Sequence, residues 1–350
     1  MKILDFNENN KYPYSDRNGE YGGQAGLKDG ILIDGERWIL KYPKSTKNMD
    51  TNNGLRSYTT ASMSEYIGSH IFNILGIPAH ETILGVKNDR VVVACKDFCD
   101  DNSRLVEVRT LKNTGSSFIG DELEEINSST SGDGVDIDEL FVHFNKNPFI
   151  SKIEGIKERF WDQVIIDIYI NNSDRNNGNW GVIRRNGYSD MLAPVYDNGN
   201  SFHNKFSIEK ISNEISDIKK LKEKLIGITS TIYFSEGKHL SPKKILSFSD
   251  EILEKEINKL VPVISEKKIE IEKFIDDIPY EYKGHKIITD VEKEFYKICL
   301  DTRLETFLHP VFMTYKNREC NLDSKINEAL YKVDNIERQT DKITNRNKER

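Results

Sequence analysis

The sequence predicts an α+β fold in two lobes, a small β-rich N-lobe followed by a larger helical C-lobe. Three observations predict it. The turn pair Asp34-Gly35 separates two apolar stretches early in the chain, Val91 to Cys95 is a continuous apolar run bounded by charge, and helical periodicity dominates after residue 160. At 350 residues the chain exceeds one minimal core and suits two lobes sharing a cleft. The expected divisions are 1–97, 98–315 and a charged tail, 316–350.

The elements follow in order. A glycine-rich stretch, Tyr21-Gly22-Gly23-Gln24-Ala25-Gly26-Leu27-Lys28, precedes a hairpin formed by Ile31–Ile33 and Arg37–Tyr42, with Pro43 limiting the second strand. Met63, Tyr66, Ile67, His70, Ile71, Ile74 and Leu75 recur at three- and four-residue intervals, so a helix is expected over 62–75, stopped by Gly76 and Pro78. Glu65 falls off its apolar stripe. Val91 to Cys95 reads as a buried strand. From Asp100 to Asp133 polar, punctuated sequence predicts loops, with a short helix near Asp121 to Ile126. Phe160, Val164, Ile165, Ile168 and Tyr169 then make a helical face that runs into the polar cluster Asn171 to Asn179. Trp180 to Arg184, the turn pair Asn186-Gly187 and Met191 to Tyr196 read as a hairpin that returns Asp197 to the end where Asn179 stands. Amphipathic helices are expected from about residue 205 to 315.

Bulk composition excludes several classes. Fifty basic against 57 acidic residues give a net charge of -7, and no basic stripe appears, so neither nucleic acid nor an anionic membrane is the expected main partner. Cys95, Cys99, Cys299 and Cys320 lack paired zinc-site spacing and read as reduced structural thiols. The N-terminal sequence has no apolar core of a signal peptide, and no run of about 18 apolar residues occurs. The expected location is the cytoplasm, with secretion lacking a cleavable signal left open.

The chemistry-bearing residues lie in the polar loop and its hairpin. Phosphoryl transfer needs a carboxylate to orient the acceptor hydroxyl and oxygen ligands that hold Mg²⁺ against phosphates. Asp174 and Asn179 have the D-x-x-x-x-N spacing that supplies both from one loop, and Asp197 is the candidate second metal ligand. An Asn/Asp/Gly run is otherwise a plain loop, and Gly178 is out of register for a calcium-binding EF-hand. Upstream, Lys41 suits an ammonium set on ATP phosphates beneath a glycine loop, and Glu65 suits a carboxylate that orients it. The alternatives are an exposed strand-end lysine, a solvated helix face, and glycines that merely serve turns. The order of the set (glycine loop, lysine, glutamate, apolar strand, D-x-x-x-x-N, aspartate) favours the joint reading.

These segments, Gly22 through Pro43, Glu65 through Pro78, Val91 through Phe98 and Asp174 through Asp197, resemble the HipA-like serine/threonine kinases, especially the compact CtkA-type members. The loop Asp174-Arg175-Asn176-Asn177-Gly178-Asn179 is also similar to the D-R-H-x-x-N loop of phosphatidylinositol kinases, with Asn176 where the histidine usually stands. The resemblance implies a protein-kinase-like fold, ATP and Mg²⁺ as cofactors, and phosphorylation of a protein Ser or Thr, this chain included. It also implies Asp174 as catalytic base, Asn179 and Asp197 as Mg²⁺ ligands, and Lys41 on phosphate. Cys95-Lys96-Asp97-Phe98 would form the adenine hinge, and Gly22, Gly23 and Gln24 the phosphate loop. An antitoxin or a host protein is the implied partner, although the chain has no room for the extra N-terminal subdomain of the longer toxins. Ser15, Ser45 and the Ser116-Ser117 loop are candidate self-modification positions. A lipid or small-molecule kinase, or a nucleotide-binding regulatory module without turnover, stays open as an alternative.

Overall fold

The computed structural model describes residues 1–8, 11–21, 27–47, 55, 57–126 and 134–318. Gly22, Gly23 and Gln24, expected to cover phosphate, and the tail beyond residue 318 lie outside the described residues. The chain opens with β1 (Ile3–Asp5), β2 (Lys28–Ile33), β3 (Glu36–Lys41), α1 (Ala61–Ile74), β4 (Thr82–Lys87) and β5 (Arg90–Lys96). The strands make one sheet in the order β1-β4-β5-β3-β2, parallel only between β1 and β4. Asp34 and Gly35 have φ of 51° and 83°, positive at both central residues as a type I′ hairpin turn requires.

Alternation along the strands decides what meets what. Trp38, Leu40, Val92 and Ala94 pack with Phe6 and Ile31 on one face of the sheet, while Val93 and Cys95 join Ile67 and Ile71 of α1 on the other. Lys41 pairs opposite Val93, so it emerges on the helix-covered face. That parity lets a strand lysine reach a helix carboxylate.

Gly76, at φ 81°, ends α1 one turn before Pro78. The helix is buried almost all round: Ser62, Ser64, Glu65, Gly68 and Ser69 are as inaccessible as its apolar stripe. The solvated face weighed for Glu65 is thereby corrected, because that side of α1 lies against the chain following Asp197 and leaves Glu65 only 2 % exposed.

A second correction concerns residues 100–126. In place of loops stand β6 (Ser103–Glu107) and α2 (Val108–Gly115), while the short helix expected near 121–126 is α3 (Gly120–Glu124). There follow β7 (Val135–Asp136), α4 (Ile137–Lys146), α5 (Ile156–Ile170), β8 (Gly181–Arg185) and β9 (Met191–Leu192). β6 exists because β8 recruits it: Leu105 lies opposite Ile183 and Glu107 opposite Gly181. No local pattern announces such a long-range pairing.

The remaining chain is α6 (Ile208–Ile215), α7 (Ile218–Ile228), β10 (Tyr233–Ser235), β11 (Lys238–His239), α8 (Pro242–Leu246), α9 (Glu251–Asp276), β12 (Glu281–Tyr282), β13 (His285–Lys286) and α10 (Asp290–Arg303). α9 and α10 pack on α5, whose Phe160, Trp161, Val164, Ile165 and Tyr169 are inaccessible and anchor the larger core. α10 starts with a reciprocal capping box between Thr289 and Glu292. Among the described residues no helix is long and apolar enough to cross a membrane.

Candidate active site

The polar loop begins where α5 ends, at Asn171 in left-handed conformation with φ 56°. One buried side chain organises everything after it. Arg175 donates from Nε and Nη2 to the Asp167 carboxylate of α5 at 2.8 and 3.0 Å, and from Nη1 to the carbonyls of Asn179 (2.9 Å) and Tyr196. Its Nη2 also donates to Asn198 Oδ1 at 2.6 Å. A single guanidinium thus ties the helix end, the loop and the segment around Asp197 together. Burial works against the Arg175 charge, but Asp167 outweighs it and holds the guanidinium above its ordinary value. Burial also pushes Asp167 up, with Arg175 pulling the other way.

Asp174 and Asn179 remain partly accessible in otherwise buried surroundings. The Asn179 Nδ2 donates to the Asp174 carbonyl at 2.6 Å, which leaves its Oδ1 as a candidate ligand atom. Asn176 stands with Nδ2 3.4 Å from Asp174 Oδ1, and its own Oδ1 accepts from Gly178 N–H (2.8 Å) and Arg109 Nη2 (2.7 Å). α2, absent from the sequence reading, therefore buttresses the loop through Arg109.

From the sheet, Lys41 Nζ reaches Asp197 Oδ1 at 2.7 Å and Glu65 Oε2 at 3.3 Å. Glu65 Oε1 accepts the Asp197 backbone N–H at 3.0 Å and meets His80 Nε2 at 2.8 Å. Asp197 itself has φ 60°, a left-handed setting uncommon for a side-chain-bearing residue and held here by those bonds. Burial disfavours all three charges, and their mutual attraction prevails. Lys41 is held well above the usual lysine range by Asp197 and Glu65. Glu65 and Asp197 are held below the usual carboxylate range, chiefly by Lys41.

The other expected residues are distributed as follows. Cys95 is buried with its Sγ grouped with Glu65 and His80, so a hinge role there would fall to backbone. Lys96 points to the opposite side, pairing with Glu36 at 2.9 Å and Glu81 at 3.6 Å. Phe98 lies 6.0 Å, ring to ring, from Tyr196, the neighbour of Asp197. Asp97 accepts from Arg17 at 3.0 Å and Tyr21 at 2.9 Å. Lys28 and Glu107, unremarkable strand-end charges in the sequence, belong to the same electrostatic environment. Burial and repulsion from Lys41 lower Lys28, and burial raises Glu107 against the pull of Arg109. A separate cavity of about 340 Å³, lined by Lys2, Asp34, Trp38, His70 and Glu81 among others, includes none of Lys41, Glu65, Asp174, Asn179 or Asp197.

The donor set fits Mg²⁺. A half-exposed carboxylate and a half-exposed amide oxygen are what a cation retaining several waters and phosphate oxygens takes from protein.

No protein-family model matches the chain. It is 29 % identical over 290 residues to the serine/threonine-protein kinase CtkA of Helicobacter pylori, covering 81 % of each chain. The crystal structure of the H. pylori proinflammatory kinase CtkA aligns at a TM-score of 0.74 and 25 % identity, over 89 % of this chain and 98 % of that one. HipA of the Shewanella oneidensis toxin–antitoxin system, solved with HipB and operator DNA, aligns at only 0.44 and 12 % over 84 % of this chain and 68 % of that one, too distant to carry weight. Sequence and fold agree that this chain, a two-lobed protein-kinase-like α+β protein, is similar to the serine/threonine-protein kinase CtkA.

Proposed function

We propose that the chain transfers the ATP γ-phosphate to a Ser or Thr hydroxyl of a protein, itself included, with Mg·ATP between the lobes. What carries the reading is Lys41 joined at once to Glu65 and Asp197, three residues from β3, α1 and the segment after β9. In it, Lys41 moves from Asp197 to the phosphates while Glu65 keeps its ammonium oriented. Asp174 accepts and orients the acceptor hydroxyl for in-line attack. Asn179 and Asp197 hold Mg²⁺, which when bound neutralises charge on the phosphates. Residues 95–98 meet the adenine with their backbone. Arg175, engaged wholly with protein groups, serves as scaffold, so its likeness to the lipid-kinase loop says nothing of the acceptor.

Incorporation from labelled ATP, read by mass spectrometry, tests this. Asp174→Ala and Asp197→Ala should keep the wild-type circular dichroism and lose phosphate incorporation by about 10² to 10⁴. Unchanged incorporation in either refutes the assignment. Among the serines weighed for self-modification, Ser15 is buried at 6 % exposure, which corrects its candidacy, whereas Ser45 and Ser117 are exposed.

A further inference from the structure

Phosphoryl transfer uses Glu65 but gives no task to the two side chains beside it. Glu65, His80 and Cys95 come from α1, the segment before β4, and β5, and one donor atom of each lies within 4.8 Å of the others. All three are buried, at 2 %, 5 % and 1 % exposure. His80 is fixed there by its backbone, whose N–H donates to Val195 O at 3.0 Å, and by its ring nitrogen on Glu65 at 2.8 Å. Thiolate, imidazole and carboxylate are the ligand types of Zn²⁺, bound at about 2.3, 2.0 and 2.0 Å in a tetrahedron whose fourth corner can be water. Such a tetrahedron separates its donors by about 3.3–3.6 Å, so each atom need shift by only about 1 Å.

We propose that Glu65, His80 and Cys95 form an inhibitory site for a thiophilic divalent cation such as Zn²⁺. The charges close without a bare ion. Cys95 gives its thiol proton to solvent on coordination, so the Glu65 carboxylate and the Cys95 thiolate neutralise the metal. Lys41 then keeps Asp197 as its counter-charge. The cost falls on function. A Glu65 oxygen committed to the metal is withdrawn from Lys41 or from the Asp197 N–H, two of the contacts that join α1 to the nucleotide cleft. Mg²⁺ does not compete, because it prefers six hard oxygen donors. Binding stands on these three residues alone; inhibition rests on the proposed kinase reading.

Co²⁺ titration of the full chain, followed by optical absorption, tests binding without reference to activity. One equivalent should produce a thiolate-to-cobalt charge-transfer band that Zn²⁺ displaces. The band should vanish in Cys95→Ala, and His80→Gln should weaken binding by at least about 10-fold. Phosphorylation is then compared with and without buffered Zn²⁺ at saturating Mg·ATP. That ratio should fall in the wild type and stay near unity in Cys95→Ala. Absence of a thiolate band in the wild type overturns the proposal whatever the variants do. So does a band, or Zn²⁺ inhibition, undiminished in a folded Cys95→Ala, since the metal then sits elsewhere. An intact Cys95-dependent band in a protein that phosphorylates nothing supports the site and sinks the kinase reading instead.

Discussion

Arg175→Met removes the guanidinium while keeping much of the side-chain volume in place. It strips Asp167 of donors at 2.8 and 3.0 Å and unpairs the carbonyls of Asn179 and Tyr196, together with the Asn198 amide oxygen. Both partners are buried, so the gross effect is that of a charge left alone in the interior, about 3–5 kcal/mol. Against a whole-domain stability of about 5–15 kcal/mol, that is a large fraction. Asp167→Asn/Arg175→Met should recover much of the loss, because no charge remains to be stranded. The pH dependence has a definite sign. Burial already raises the Asp167 pKa, and without Arg175 it rises further, so native Asp167 binds a proton that the unfolded chain, with a pKa of about 3.9, releases. Stability of Arg175→Met relative to wild type should therefore fall as pH rises and recover toward about pH 5. Urea denaturation of the wild type, both single variants and the double, at two pH values, reads all of this. A loss under about 1 kcal/mol in Arg175→Met, or a deficit that does not change with pH, refutes the reasoning.

Gly68→Ala would put a Cβ 2.7 Å from the Asn198 Cβ, so about 1–3 kcal/mol of overpacking is expected, with weakened nucleotide binding because α1 and the Asp197 segment are forced apart; thermal melts and nucleotide titration check it. The Lys41–Glu65–Asp197 group should shape both ends of the stability–pH curve. Glu65 and Asp197, depressed in the fold, contribute above their unfolded values near 4 and lose that contribution as pH falls through the folded ones, whereas Lys41, raised in the fold, contributes below about 10.4 and fades as pH rises through its folded value. Lys41→Met should flatten both limbs. Thr289→Ala breaks the capping box of α10, whose two bonds involve no residue assigned to the site, and should cost about 0.5–2 kcal/mol in denaturation while the phosphorylation rate is unaltered.

The strands and helices that rest on local pattern were legible: the β2–β3 hairpin through Asp34-Gly35, α1 through its apolar stripe and Gly76 stop, and α5 through Phe160 to Tyr169. β6 was not, because Arg104 and Glu107 give it no alternation and its reason for existing is β8. The same limit governed the site. Lys41, Glu65, Asp174, Asn179 and Asp197 were named from their types and order, while the residues holding them were missed. Ser64, Gly68 and Ser69 look like a solvated face, yet they are small so that the Asn198–Ser201 turn can lie against α1, with hydrogen bonds from Ser64 to Ser201 O and from Asn198 to Ser69. Arg175 was read as part of a motif rather than as the buried staple it is. His80 sits just past Pro78, where the sequence shows only the end of a helix. Glycine spacing gave the one available hint, since Gly68 interrupts a good helix for a reason only the packing supplies.

The most direct measurement is a crystal structure of the full chain with Mg²⁺ and a non-hydrolysable ATP analogue. Expected is a metal about 2.0–2.1 Å from oxygens of Asp197 and Asn179, Lys41 moved onto the phosphates with Glu65 still beside it, and the γ-phosphate facing Asp174. A nucleotide bound outside this cleft, or a metal held without Asp197, would contradict it.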